Sequence, residues 1–326
     1  MFRLFSRLGI FIQLIVVLCV AIALVLPAFL YPLALLPDSD NFMLHSLLLK
    51  ALIDSPIIGI SIASAIVIFQ AFFLYFFPTS NDLHPRESLL TVLFYFLIAA
   101  SLTESIVLSP ALAASVFLLI SLFLIVKMYG SVQAYKQVFS ASFCVSIAAL
   151  FYPPAIIFMF FIWLSFLTYR IASWHEWIIS FIGFFIPVLY LFTYYFWIGE
   201  LHLFMLHYSS LFNNFTNEFP QFRLWQLIYI AFTCVLLIMA SFRQIILIQD
   251  KLISIRRKTW IFIDFMIVAA ISCLMSGSDF SGHLAILAIP GALFLSNMFT
   301  GKKANWTFEI FSGLMLILLL IARLSV

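Results

Sequence analysis

The chain has 326 residues, 65% of them hydrophobic and only 9% charged, with 40 phenylalanines. A soluble domain is about 45–50% apolar and ~25% charged, so a water-soluble globular protein is excluded; this much apolar surface needs lipid as its outer solvent. A net charge of +3, from 16 basic and 13 acidic residues with no long Lys/Arg run, excludes nucleic acid as a partner.

Crossing ~30 Å of hydrocarbon takes about 20 apolar helical residues, because backbone polar groups must be paired within the segment. The first such run is Leu8–Leu36. Its basic start, Arg3 and Arg7, is that of a secretory signal. The run is far longer than the roughly 7–15 apolar residues of a cleaved signal, which predicts a retained first span. Pro37–Pro56 breaks the pattern, and within it Asn41–Ile53 predicts a short helix lying flat at the interface, with Ser46, Lys50 and Asp54 in one polar stripe. Ile57–Phe77 follows, then the polar stretch Pro78–Ser88. Leu89–Leu102 and Pro110–Met128 predict a hairpin joined through Thr103, Glu104 and Ser105.

Val138–Thr168 is too long for one ordinary span and holds Tyr152-Pro153-Pro154 at its middle. Consecutive prolines break a helix, so two shorter helices are expected with the prolines at the far turn. Trp177–Trp197, a long loop at Ile198–Arg223, and Leu224–Ser241 come next; Trp260–Met275, Leu284–Phe299 and Trp306–Leu324 complete the set. The expectation is an all-α, polytopic transmembrane helical bundle of about 11 membrane segments, forming one domain over residues 1–326.

Charge orients it. With the N-terminus inside and the C-terminus outside, Arg3, Arg7, Arg86, Lys127, Lys136, Arg170, Arg243, Lys251, Arg256, Arg257, Lys258, Lys302 and Lys303 all fall on the cytoplasmic side. Lys50, Arg223 and Arg323 fall outside. Only a split at Pro153-Pro154 keeps the later basic loops in phase. Trp174, Trp177, Trp260 and Trp306 then mark inner edges, and Trp197 and Trp225 outer edges, as an aromatic belt does.

Ionisable residues near apolar segments are the candidate site residues, since charge is costly there. Asp38 and Asp40 directly follow the first span. Either Ser39 or Asp40 caps the interfacial helix, or Asp38 or Asp40 is a catalytic carboxylate facing the periplasm. Glu104 is a turn residue at headgroup level or part of an outward polar pocket with the first loop. Asp279 and His283, four apart, share a helical face at the outer mouth of the tenth segment. They are interfacial polar groups, or His283 binds an anionic group such as a lipid phosphate while Asp279 orients it. Arg223 either sits at the interface or holds a phosphate. Asp264, one turn inside the ninth segment, can reach the nearby basic loop. His202 and His207 are five apart, which suits no metal motif, and Cys19, Cys144, Cys234 and Cys273 lack CxxC spacing. No metal or cofactor is expected. There is no glycine-rich phosphate loop, no GxSxG and no symmetric pair of glycine-broken helices.

The most distinctive stretch is Arg170–Phe196, with Arg170, Trp174, Glu176, Trp177, Ile178, Ile179, Gly183 and Pro187. It resembles the signature of an uncharacterised family of bacterial polytopic inner-membrane proteins, in which an Arg precedes a Trp-x-Glu-Trp-Ile-Ile segment and then Gly and Pro within the helix. The likeness extends over most of the chain. A second resemblance, of architecture alone, is to C-type-superfold membrane glycosyltransferases. Its points are Asp38 or Asp40 after the first span, the Asn41–Ile53 helix, the Pro153-Pro154 turn, and Phe280, His283 and Pro290. It implies that an aspartate deprotonates the acceptor while His283 or Arg223 holds a donor phosphate.

The expected place is the bacterial inner (plasma) membrane. The leading expectation is a membrane subunit or scaffold of an envelope complex. The alternatives are a glycosyltransferase-like or lipid-handling enzyme with a polyprenyl-linked donor at the periplasmic face, and a transporter or flippase. The partners implied are membrane lipids, a polyprenyl-phosphate lipid for the enzyme, and a membrane protein for the scaffold.

Overall fold

The apolar runs become helices. A computed structural model describes residues 9–30, 56–80, 89–99, 108–130, 134–171, 173–202, 223–249, 251–275, 280–300 and 306–324, and among these there is no strand. In chain order the helices are α1 (Ile10–Leu30), α2 (Pro56–Ser80), α3 (Leu90–Ala99), α4 (Pro110–Lys127) and α5 (Tyr135–Phe151). A 3₁₀ turn at Pro153–Ile157 leads to α6 (Phe158–Tyr169), α7 (Trp174–Ile198), α8 (Leu224–Leu247), α9 (Ile253–Cys273), α10 (Phe280–Thr300) and α11 (Trp306–Leu324). The predicted interfacial helix at 41–53 lies outside the described residues.

Among the described residues six helices, α1, α2, α4, α7, α8 and α10, are long and apolar enough to cross a membrane. The other described helices are shorter or less apolar, among them the two expected on either side of Pro153-Pro154. The ten described residues of α3 rise about 15 Å, half the hydrocarbon thickness. The long run 138–168 divides into α5 and α6. In α9 the helix starts seven residues before Trp260, running through Arg256, Arg257 and Lys258. Lys and Arg are good helix formers, so the helix continues where the apolar run has stopped.

The proline break turns the chain as expected. Tyr152 is extended (φ −141°, ψ 100°), the conformation a following proline enforces, and Pro153 opens the 3₁₀ turn. The rings of Tyr129, just past α4, and Tyr169, at the end of α6, are 5.4 Å apart. The chain therefore returns through α6 to the end of the bundle from which α5 departs.

That shared end also holds the start of α7, where His175 meets Tyr135 across 6.4 Å, and the start of α9, where Arg257 meets the Tyr169 carbonyl. Lys127, Lys136, Arg170, Arg243, Lys251, Arg256, Arg257 and Lys258 gather there. Arg223, at the start of α8, stands at the opposite end, where Tyr229 donates to the Leu97 carbonyl at the end of α3.

Helix α10 is the axis of the bundle. It packs on α3, α4, α8 and α9, and all ten residues of α3 are buried against its surroundings. Antiparallel α3 and α10 are joined by stacked Phe94 and Phe299 and by a hydrogen bond from Thr91 Oγ1 to Ser296 Oγ at 2.9 Å. Around this centre α1, α7 and α8 turn large apolar side chains outward, Phe11, Leu189 and Phe242 among them. Helices apolar on every side behave in two ways here: those at the centre are enclosed by other helices, and those at the rim face lipid.

Candidate functional site at the proline break

The buried polar groups near the Pro153-Pro154 turn tie three segments together. Tyr152 is the extended residue that precedes the prolines, and its hydroxyl lies 3.1 Å from Nδ1 of His283. His283, in the first turn of α10, is wholly buried. Its Nε2 is 2.9 Å from the carbonyl of Ala269 on α9 and 3.3 Å from the hydroxyl of Ser272, which itself donates to Ala269 O at 3.0 Å. A carbonyl can only accept, so the imidazole proton sits on Nε2. Nδ1 then accepts from Tyr152. Both ring nitrogens are engaged by protein.

The sequence placed His283 at the mouth of its segment, as an interfacial polar group or an anion-binding one; in the fold it is enclosed. The side chain points into the bundle and couples α5, α9 and α10. Arg223 is exposed at the first residue before α8, where its backbone N–H donates to Gln226 Oε1 at 3.1 Å. Asp38, Asp40, Glu104 and Asp279 lie outside the described residues. Asp264 turns toward α6 rather than toward the basic loop: its carboxylate accepts from Thr168 at 2.8 Å.

Other polar pairs deep in the bundle were not singled out from the sequence. Tyr95 donates to Gln70 Oε1, and Gln70 Nε2 donates to Ser115 at 2.7 Å, joining α2, α3 and α4. Gln13 Oε1 accepts from the backbone N–H of Leu89 at 3.0 Å, tying α1 to the start of α3. Gln244 Nε2 reaches the Phe294 carbonyl at 3.4 Å. The available signal was an isolated glutamine in an otherwise apolar run, the kind of residue that hydrogen-bonds across helices when water is absent.

The Arg170–Pro187 signature has a packing explanation. Arg170 ends α6 in the left-handed conformation (φ 58°, ψ 41°), the one positive φ at a non-glycine among the described residues. It closes a Schellman turn, with Ile171 N–H on Phe166 O at 2.9 Å and Arg170 N–H on Leu167 O at 3.1 Å. A side chain there costs roughly 1–2 kcal/mol relative to glycine. Trp177 packs its ring 5.4 Å from Phe166 and 6.0 Å from Trp163, and Trp163 Nε1 donates to Ser180 at 3.3 Å. Glu176, Ser180, Gly183 and Pro187 form the buried stripe of α7. A Cβ on Gly183 would lie 2.3 Å from Ser142 Oγ and 2.7 Å from the Phe139 carbonyl of α5, so glycine is what allows the two helices to touch.

Outside the spans, loss of hydration holds the ammonium of half-buried Lys251, between α8 and α9, below the ordinary lysine value. Among the described residues no group of three or more His, Cys, Asp or Glu is placed to hold a metal ion. His283 has the Tyr152 hydroxyl at Nδ1 and both the Ala269 carbonyl and the Ser272 hydroxyl at Nε2.

No curated protein and no solved structure matches the chain. A family model does match, over residues 42–325, and it covers the signature stretch, the proline break and every helix except α1. With most of its length matched and its long apolar helices in place, the chain is a membrane protein belonging to DUF6427, a family of unknown function.

Proposed function

We propose that the protein is a membrane subunit or scaffold of an envelope complex in the bacterial inner membrane, with its N-terminus in the cytoplasm. The observation that carries this reading is the contrast between a closed interior and an open apolar rim. Inside, Tyr152–His283, Tyr95–Gln70–Ser115 and Thr91–Ser296 satisfy one another across helices. At the rim, α7 leaves Phe185, Leu189, Tyr190 and Phe196 uncovered along its length. A rigid body with such a flank suits helix–helix association in lipid, which works by close apolar packing. The basic end supports the orientation, because Lys and Arg concentrate on the cytoplasmic side.

The test is purification of the full chain in mild detergent with its mass measured by light scattering. A stoichiometric membrane partner, lost on Phe185→Ala with Leu189→Ala, is the expected result. A monomer carrying lipid alone at every detergent concentration rejects the scaffold reading.

A second reading is favoured by the α5–α6 pair reversing at Pro153, the feature that resembles C-type-superfold glycosyltransferases. In that reading Asp38 or Asp40 is the periplasmic base, Glu104, Arg223, Asp279 and His283 belong to the substrate-binding region, and a polyprenyl-phosphate lipid is the donor. Asp38→Asn with Asp40→Asn should then abolish a glycan or lipid phenotype. Full complementation of a deletion by the double variant ends the enzyme reading.

A further inference from the structure

The turn between α6 and α7 collects cations in excess of the carboxylates beside it. Arg257 Nη1 donates to the Tyr169 carbonyl at 3.4 Å, and its guanidinium lies 6.0 Å from the Tyr129 ring centroid. Both contacts orient the group without neutralising it. Arg170 follows Tyr169 directly and is exposed, as is Arg256. Two described carboxylates stand at this end, and one oxygen of Glu176 is buried without a partner among the described residues. Asp264, two turns further along α9, accepts from Thr168, and Glu176 lies on the buried stripe of α7.

Arg170 is the more telling residue. Its left-handed backbone is the conformation in which glycine or asparagine closes a helix without strain. The turn itself gains nothing from an arginine; the guanidinium at this location is the gain. The surroundings place that charge at a hydrocarbon boundary, since Leu167 is 66% exposed and Trp174 65% exposed on either side of it. Basic groups beside exposed apolar and tryptophan side chains match a headgroup with acyl chains attached.

We propose that Arg170 and Arg257, flanked by Arg256 and Trp174, bind the phosphate of an anionic phospholipid at the basic end of the bundle. Arg257 is the oriented, half-buried cation and Arg170 the exposed one. Trp174 and Leu167 meet the glycerol and upper acyl region. The inference depends on membrane embedding and not on the scaffold reading, so loss of a protein partner leaves it standing.

The experiment is native mass spectrometry of the full chain in mixed micelles holding equal mole fractions of phosphatidylglycerol and phosphatidylcholine. The wild type should retain phosphatidylglycerol over phosphatidylcholine by about fivefold or more, as expected for a cation near an anionic headgroup. Arg257→Gln and Arg170→Gly should each bring retention close to parity. Arg170→Gly is the decisive variant, because it relieves the strained turn and should melt no lower than the wild type. If Arg170→Gly keeps the wild-type preference, the proposal is overturned. Complete displacement of the lipid by millimolar inorganic phosphate also overturns it, since the site would then recognise a free anion.

Discussion

Helices α7 and α10 have similar apolar character and opposite surroundings. Buried residues make up 94% of the apolar window of α10 and 17% of that of α7. Hydrophobicity therefore does not separate a central helix from a rim helix in this protein, because lipid and protein interior are equally apolar solvents. Small and polar residues do separate them. In α10 these residues occur around the helix: His283, Pro290, Gly291, Ser296 and Asn297, all enclosed by neighbours. In α7 they keep to one stripe, Glu176, Ser180, Gly183 and Pro187, and the remaining faces carry exposed aromatic and aliphatic side chains.

The comparison can be broken or sharpened by substitution, with unfolding followed by tryptophan fluorescence in detergent. The largest effect is expected at the centre. His283→Ala opens a cavity and leaves the Tyr152 hydroxyl and Ala269 carbonyl without their ring partners, at a cost of about 3 kcal/mol. A loss under about 1 kcal/mol would mean that the three-segment tie is not a stability element. Next is Gly183→Ala, where the new Cβ meets a backbone carbonyl that cannot rotate away; α5 and α7 must separate, for about 2 kcal/mol. Adding Ser142→Ala should recover part of that loss, and no recovery would place the strain elsewhere.

Arg170→Gly has the opposite sign. Relief of the left-handed side chain should stabilise by about 1 kcal/mol, and a lower melting temperature would show that the arginine holds the turn. Gly291→Ala should be milder than Gly183→Ala although it lies in the central helix. Its Cβ would meet Leu237 Cδ2 at 2.6 Å, the far end of a flexible side chain, so a cost below about 1 kcal/mol is expected. Phe185→Ala on the lipid face of α7 should change the stability of the isolated protein by about 0.5 kcal/mol or less. A large loss there would mean that the face is covered within the folded chain.

Much of the helical layout was legible because its causes are local. Apolar runs bounded by polar breaks marked α2, α4, α7 and α11 to within three residues, whereas the run marking α8 stopped six residues short of Leu247. Pro153-Pro154 required a break whatever packs around it. The start of α9 was missed because its first two turns are basic and helical at once. The site residues were less legible. His283 reads in sequence as a polar residue near a loop, and only the approach of Tyr152 from 131 residues away and of Ala269 from α9 makes it an interior hydrogen-bonding hub.

What the sequence by itself determined is the solvent and the secondary structure: too few charges and too many apolar residues for water, a backbone that must pair within helices, and cations sorted to one end. The tertiary structure alone decided which helices are enclosed and which face lipid, and which glutamines, serines and tyrosines become partners. The reason is physical. Helix formation and transfer from water depend on neighbouring residues, whereas burial among helices and buried hydrogen bonds depend on groups far apart in the chain, brought together only when the bundle closes.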